Sequence, residues 1–299
     1  MKTHPLVSII INCYNGQEYL RETLDSIHIQ SFTDWELVFW NNKSTDESEA
    51  IFRRFDDSRF NYFLADRHTK LGEARNLAVA EARGDWLAFV DCDDIWDPEK
   101  VNRQLQAAGN DPDIGLIYGP VTLLVEQTDK STASLAATLT RNCARPHPPQ
   151  GIYDALLEGN FIIFSTVLIK RSLFNKVGGI DCRLEQNEDY DLLLKTSRIC
   201  KAVCVSDVCA TYRIHASNNS HRQEENSYRE NGLIYNALPQ DARVERARSI
   251  NASKRAVFEL RHHQYFAAFR RLLWDGSILW TLQRILGRIL MQSGTARKK

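Results

Sequence analysis

No uncharged apolar run in this chain approaches the ~18 residues that a bilayer-spanning helix needs, so none is expected. The chain also lacks net charge: 38 Lys and Arg balance 38 Asp and Glu, so the total gives no sign of a polyanionic partner, and nucleic acid is not expected as one. No two cysteines stand at the paired spacing of a metal site. The seven (13, 92, 143, 182, 200, 204 and 209) form an odd set, best read as reduced thiols in a cytoplasmic protein. No repeat or low-complexity run is found. Met1-Lys2-Thr3-His4-Pro5 leads straight into a strand pattern, so no secretory signal is expected.

What is present fits a folded α/β protein. Hydrophobic residues at 43% and charged residues at 25% suit one large or two ordinary domains with a substantial core. Charge is unevenly placed, however. Residues 222–299 carry 15 Lys and Arg against 7 Asp and Glu, which leaves that segment at +8 and residues 1–221 at −8. That asymmetry sets off a basic segment over 222–299 from a main domain over 1–221. The halves expected of that domain, about 1–125 and 126–221, meet where the strand pattern changes character after Val125.

Leu6-Val7-Ser8-Ile9-Ile10-Ile11 has the β-branched, apolar character of a parallel strand covered on both faces. Tyr19, Leu20, Leu24 and Ile27 then recur at helical spacing, and Trp35–Trp40 is a second strand. Ser44-Thr45-Asp46-Glu47 predicts a capping box before a helix carrying Ile51, Phe52 and Phe55. A weak strand at Phe60–Leu64, a helix from Gly72 to Ala82 and a strand at Trp86–Val90 continue the alternation. That rhythm predicts βαβ units and a mostly parallel, Rossmann-like sheet flanked by helices. Further on, a helix over Pro98–Ala108 and strands at Ile114–Tyr118 and Val121–Val125 are expected, then an irregular stretch from Thr128 to Gln150. Ile162–Ile169 reads as a strand, Glu188 opens a helix, and Ala202–Val208 and Ala210–Ile214 read as strands. Ala216–Gly232 reads as a polar loop.

Three acids within four residues, Asp91, Asp93 and Asp94, follow the strand at Trp86–Val90. Crowding carboxylates where a strand leaves the core costs self-repulsion unless a cation offsets it. Mg²⁺ and Mn²⁺ favour such oxygen ligands, completed by substrate phosphates. The alternative is a solvated acidic turn before a helix capped at Asp97-Pro98. Asn12-Cys13-Tyr14-Asn15, Asn41-Asn42 and Asp91–Asp94 all end strands, so a parallel sheet would bring them to one crevice.

Taken in order, Val7–Asn15, Asn41–Asp46, Leu71–Asn76, Phe89–Asp94, Gly178–Asp181, Asn187–Leu192 and Tyr212–His215 resemble the motifs of family 2 glycosyltransferases, inverting enzymes of the GT-A fold. The resemblance covers about residues 5–221. It implies that Asn12, Tyr14, Asn41 and Asn42 meet the nucleobase and ribose of a nucleotide sugar. Positions 41 and 42 depart from the family, which commonly has Asp there, and Asn41-Asn42 could also be a turn pair. Asp91-Cys92-Asp93 matches the family's DxD motif. Asp93 is then the metal ligand, Asp91 lies nearer the ribose, and Asp94 supports them. His215 matches a histidine that completes the metal shell in relatives, against the plainer reading of a surface residue. Arg75 is a candidate for nucleotide or phosphate, or else part of a solvated helix face with Glu73. Asp189 matches the catalytic base, with Asp191 as the fallback; a helix N-terminus would favour the ionised form of Asp189. Phe161–Ser165, Gly178 and Gly179 would shape the acceptor side.

The implied activity is transfer of a sugar, favouring a UDP-sugar donor, to a hydroxyl of a glycan or lipid-linked oligosaccharide in bacterial surface polysaccharide synthesis. Two alternatives stand beside it. A nucleotidyltransferase would show a glycine-rich basic loop after the first strand, which this chain lacks. A non-catalytic nucleotide-sugar-binding partner is suggested by Asn41-Asn42. In the C-terminal segment, Ile278, Leu279, Leu282, Ile285, Leu286, Ile289 and Leu290 form an apolar stripe, with Arg284 and Arg288 opposite. Residues 270–299 therefore read as a helical extension lying on the inner face of the plasma membrane, or packed on the catalytic domain or on a second subunit of a homo-oligomer.

Overall fold

The computed structural model describes residues 4–126, 136, 139, 151–215, 218, 224–262 and 264–274. The chain divides into two compact units, 1–221 and 222–299.

The first unit is built on β1 (Val7–Cys13). Its residues Ile9, Ile10 and Ile11 are fully buried, as their β-branched run predicts. β2 (Trp35–Asn41) and β4 (Trp86–Asp91) flank β1 in parallel, and β3 (Phe60–Leu64) extends the sheet beyond β2. The crossovers are α1 (Leu20–His28), α2 (Ser48–Phe52) and α3 (Leu71–Ala80). On the other side of β4, β8 (Leu168–Lys170) runs antiparallel. It pairs in turn with β6 (Ile114–Tyr118), and β6 pairs in parallel with β9 (Lys201–Cys204). The seven-stranded order is β3-β2-β1-β4-β8-β6-β9. It is the mostly parallel sheet expected.

Register fixes the business edge. Asn12 of β1 stands opposite Trp40 of β2 and Asp91 of β4, and Cys13 stands opposite Asn41. The three groups of polar residues therefore leave the sheet side by side. At the opposite edge the strands are pinned by a buried polar cluster. Ser8 Oγ donates to Glu36 at 2.7 Å and accepts from Gly84 N at 2.7 Å, while Arg83 forks onto the same carboxylate. A Cβ on Gly84 would stand 2.5 Å from Ser8 N, so only glycine lets the chain pass.

A small second sheet carries the chain back to the acidic strand end. β5 (Ile95–Trp96) follows Asp91–Asp94 directly. It pairs antiparallel with β10 (Ala210–Ile214), and β10 pairs in parallel with β7 (Val121–Val125). Helix α4 (Lys100–Ala108) follows β5, with Asp97 accepting from the Glu99 N–H at its start. The remaining helices of the unit are α5 (Ile152–Glu158), α6 (Arg171–Lys176) and α7 (Glu188–Ser197).

Four local expectations change. The capping box does not form: α2 begins at Ser48, whose N–H is accepted by Asp46, while Ser44 Oγ turns back to Cys13 O and Asn15 N. Ile162–Ile169 is not one strand. Phe164–Thr166 makes a 3-10 turn, because Ser165 is drawn into hydrogen bonds with the Asp91–Asp94 segment and Trp96. The strand expected over 202–208 ends at Cys204. Part of the loop expected over 216–232 is instead helix α8 (Glu224–Ala237), whose buried Ile234 and Tyr235 lie beyond the polar stretch that suggested a loop.

The second unit consists, among the described residues, of α8, α9 (Ala242–Arg261) and α10 (Tyr265–Trp274). Asp241 caps α9 through the N–H groups of Arg243 and Val244. Glu259, buried on α9, is paired with Arg255 and Arg271. Among the described residues no helix is long and apolar enough to cross a membrane. The stripe over 278–290 lies outside the described residues.

Candidate active site

Arg75 on α3 is the hub of the sheet edge. Its guanidinium donates to Asp91 Oδ1 at 2.7 Å and to Glu188 Oε1 at 2.8 Å, and it lies over the Phe164 ring at 4.6 Å. The solvated helix face imagined with Glu73 is absent: Glu73 pairs with Arg67, and Arg75 is buried. Asp91 comes from the end of β4 and Glu188 from the first turn of α7, so one cation ties the acidic strand end to the acidic helix start. Asp189, next along α7, belongs to the same field.

Three carboxylates thus share one guanidinium, and their protonation belongs to the set. Burial raises the Glu188 carboxyl to about 7 against the pull of Arg75, with the neighbouring Asp189 adding to the rise. Burial likewise raises Asp189 to about 6, opposed by Arg75 and by the N–H of Tyr190, which donates to Asp189 Oδ1 at 2.6 Å. The helix terminus was expected to favour the anion, and it does so, but burial outweighs it.

Asp93 faces the other way. Its Oδ2 is 2.9 Å from His215 Nε2 and 3.4 Å from Asn218 Nδ2. The small sheet brings His215 there. Arg213, two residues before it on β10, donates its N–H to Asp94 Oδ1 at 3.0 Å and its Nε to Asp93 O at 3.0 Å. Arg213 is itself held by Glu22 and Glu126. Tyr19 packs on His215 at 4.8 Å between ring centres.

Asp94, expected as a supporting ligand, is fully buried and spent inside the protein. Ser165 Oγ donates to its Oδ2, Arg213 N to its Oδ1, and the same Ser165 Oγ accepts from Asp91 N at 3.1 Å. Burial and repulsion from Asp93 and Asp91 push its carboxyl well above the ordinary range. It is a brace for the acidic turn, with no oxygen turned to a ligand.

The asparagine pair is likewise internal. Asn41 accepts from Ser44 N at 2.7 Å and donates to Tyr62 Oη at 2.8 Å. Asn42 accepts from Thr69 N and Oγ1 and donates to Thr69 O. Both are buried, and the turn-pair alternative describes their side chains better than base recognition does. Asn12 and Tyr14 differ: Asn12 Nδ2 is buried without a partner among the described residues, and Tyr14 is half exposed with its ring 4.2 Å from that of His68. Asp191 is paired with Lys195 at 2.5 Å, one turn along α7. Of the acceptor-side group, Phe164 and Ser165 are buried, while Gly178 and Gly179 adopt positive φ (86° and 70°) in the turn before Ile180.

Glu188 and Asn218 drew no role from the sequence, and Ser165, expected to shape the acceptor side, is bonded to Asp91 N and Asp94. Glu188 had a usable signal, an acid beside the expected base at a helix start. Asn218, and the tie of Ser165 to Asp94, had none, since only the fold brings them to Asp93 and Asp94.

The model of the Glycosyl transferase family 2 matches residues 8–178. The chain belongs to that family. An uncharacterized glycosyltransferase of Rickettsia prowazekii is 30% identical over 220 residues, covering 71% of this chain and 65% of that protein. This family 2 chain thus spans slightly under two thirds of that relative's length. The UDP-Glc:alpha-D-GlcNAc-diphosphoundecaprenol beta-1,3-glucosyltransferase WfgD of Escherichia coli is 28% identical over 218 residues, covering 72% of this chain and 79% of WfgD. Among solved structures, S. aureus TarS in complex with UDP superposes with a TM-score of 0.62 at 17% identity, over 87% of this chain and 72% of that one. The mannosyltransferase PcManGT of Pyrobaculum calidifontis, in complex with GDP-Man and Mn2+, gives 0.59 at 14% identity, over 100% and 89%. At those identities the likeness concerns the fold, which is the GT-A type.

Proposed function

We propose that this chain is an inverting glycosyltransferase, dependent on a divalent cation, that moves a sugar from a nucleoside-diphosphate donor to a hydroxyl of a glycan or lipid-linked acceptor. The observation carrying this reading is the Arg75 bridge. It sets Asp91 of the acidic strand end beside Glu188 and Asp189 of α7. Transfer with inversion needs a carboxylate to take the proton of the attacking hydroxyl, and Asp189, poised near 6, is mostly ionised at neutral pH while still basic enough to accept it. Asn12 and Tyr14 are the groups left to meet the nucleoside.

A cation fits the residues present. No group of three or more His, Cys, Asp or Glu forms a cage among the described residues. Mg²⁺ and Mn²⁺ need none: they take one or two protein ligands and fill the rest of the shell with phosphate oxygens and water. Asp93 and His215 supply one carboxylate oxygen and one imidazole nitrogen 2.9 Å apart. Bound there, the ion would neutralise charge growing on a departing diphosphate. Arg213 holds Asp93 through its carbonyl, so the carboxylate stays presented.

A UDP-sugar donor and a polyprenol-linked acceptor follow the activity of WfgD, and the UDP bound by TarS agrees with that donor. Contact with a membrane surface through 270–299 belongs to the same reading. It is supported by the +8 charge of residues 222–299 and by Phe266 on α10, which is 84% exposed. The deciding experiment screens nucleotide sugars, with and without Mn²⁺, for a rise in thermal midpoint, and then assays transfer of the best donor. Cation-dependent stabilisation by a UDP-sugar is the expected result. Stabilisation by none, in any metal, would sink the reading.

A further inference from the structure

Cys13 and Cys92 occupy matching positions on neighbouring strands: Asn12 pairs with Asp91 in parallel register, and each cysteine is the next residue. Both sulfurs crowd Gly16, where an added Cβ would stand 3.0 Å from Cys13 Sγ and 3.0 Å from Cys92 Sγ. The two thiols interact with each other. Adjacent strands lie about 4.8 Å apart, inside the roughly 4.4–6.8 Å Cα separation that a disulfide accepts. Cys13 is fully buried in the core, and Cys92, set between Asp91 and Asp93, is partly buried against that same core with its sulfur turned to that of Cys13.

We infer that Cys13 and Cys92 are an oxidisable dithiol whose closure disarms the acidic motif, with a peroxide or a small-molecule disulfide as co-reactant. Cys92 is the partly exposed member. With hydrogen peroxide one thiolate of the pair attacks one oxygen, giving a sulfenic acid and a first water. The other cysteine then displaces the sulfenic oxygen as a second water, and one Sγ–Sγ bond replaces two S–H bonds. With a small-molecule disulfide, two exchange steps release two small thiols instead. The new bond ties Cys92, and with it the turn that presents Asp91 and Asp93, to the end of β1. A misplacement near 1 Å at such a site costs about a hundredfold in rate. The bond itself rests on geometry alone; only its consequence rests on the donor-site reading.

The test treats the whole chain with hydrogen peroxide or oxidised glutathione, alkylates remaining thiols, and maps peptides. A Cys13–Cys92 linked peptide, reversed by dithiothreitol and absent from the Cys92→Ala and Cys13→Ser chains, is the expected result. UDP with Mn²⁺ should then bind the oxidised chain at least about tenfold more weakly than the reduced chain. Recovery of both cysteines alkylated after oxidation would overturn the pair. A linked peptide with unchanged UDP binding would overturn the switch. If the reduced chain bound no UDP, that would count against the donor-site reading, while the peptide map would still decide the thiol pair.

Discussion

Arg75 and Glu188 meet inside the protein at 2.8 Å, their side chains 6% and 5% exposed, across 113 residues of sequence. The second branch of the guanidinium reaches Asp91, which keeps 41% of its side chain in solvent. The buried half of this bridge is the costly half to break. Glu188 Oε2 already lacks a partner among the described residues, so losing Arg75 strands a whole carboxylate.

Arg75→Met is therefore expected to destabilise the first unit by about 3–5 kcal/mol, the usual cost of orphaning a buried charge. Arg75→Lys should restore little, because an ammonium cannot fork to two carboxylates held at fixed positions. Urea unfolding followed by tryptophan fluorescence measures both. A loss under about 1 kcal/mol for Arg75→Met would mean that Glu188 is neutral and indifferent to its partner.

The raised carboxyls make stability fall as pH rises. Glu188 titrates near 7 folded against an ordinary 4.5, and Asp189 near 6 against 3.8. Between those limits the native state keeps protons that the unfolded chain has already lost. Their stabilising contribution is complete below the unfolded values and is lost as pH climbs through about 6 and 7. Unfolding free energy should therefore drop between pH 5 and pH 7.5, and Glu188→Gln should flatten that slope. Catalysis should run the opposite way: transfer needs ionised Asp189, so kcat/KM should fall below about pH 6.

The sheet was legible because its strands are apolar runs separated by turn chemistry, and parallel register then follows from the alternation with helices. The residues at strand ends were legible as a set, but their individual jobs were not. Asn41 and Asn42 look like ligand groups in the sequence, yet Ser44, Tyr62 and Thr69 consume them. Asp94 looks equal to Asp93, yet one faces Ser165 and the other His215. Composition cannot separate neighbours that leave a strand on opposite sides; only the partners arriving from positions 165, 213 and 215 do so. The strand expected at Ile162–Ile169 failed for the same reason, since Ser165 is spent on the acidic turn.

Removing the proposed cation ligands should separate metal from nucleotide. Asp93→Ala should abolish Mn²⁺-dependent stabilisation by a UDP-sugar and reduce transfer by more than about a hundredfold. His215→Ala should weaken the cation requirement less, because phosphate oxygens and water can replace one nitrogen ligand. Titrating Mn²⁺ at fixed donor concentration reads both effects. Equal stabilisation of the Asp93→Ala chain in chelator and in Mn²⁺-loaded buffer, at the wild-type level, would remove Asp93 from the site.

Asp189 and Asp191 stand two residues apart on α7 and give opposite predictions. Asp189 shares the Arg75 field, whereas Asp191 is bound to Lys195 at 2.5 Å. Asp189→Asn keeps shape and hydrogen-bonding capacity but removes the basic oxygen. It should retain donor-induced stabilisation while transfer drops by about 10²–10⁴, the range expected of a general base. Asp191→Asn should instead cost about 1–3 kcal/mol of stability through the loss of its charged partner, and leave the transfer rate per folded molecule near wild type. Donor binding, transfer and urea midpoint measured on both chains distinguish the roles. If transfer survived in Asp189→Asn and vanished in Asp191→Asn, the Lys195 pair would have to open in the working enzyme, and the base would lie on the other side of the helix.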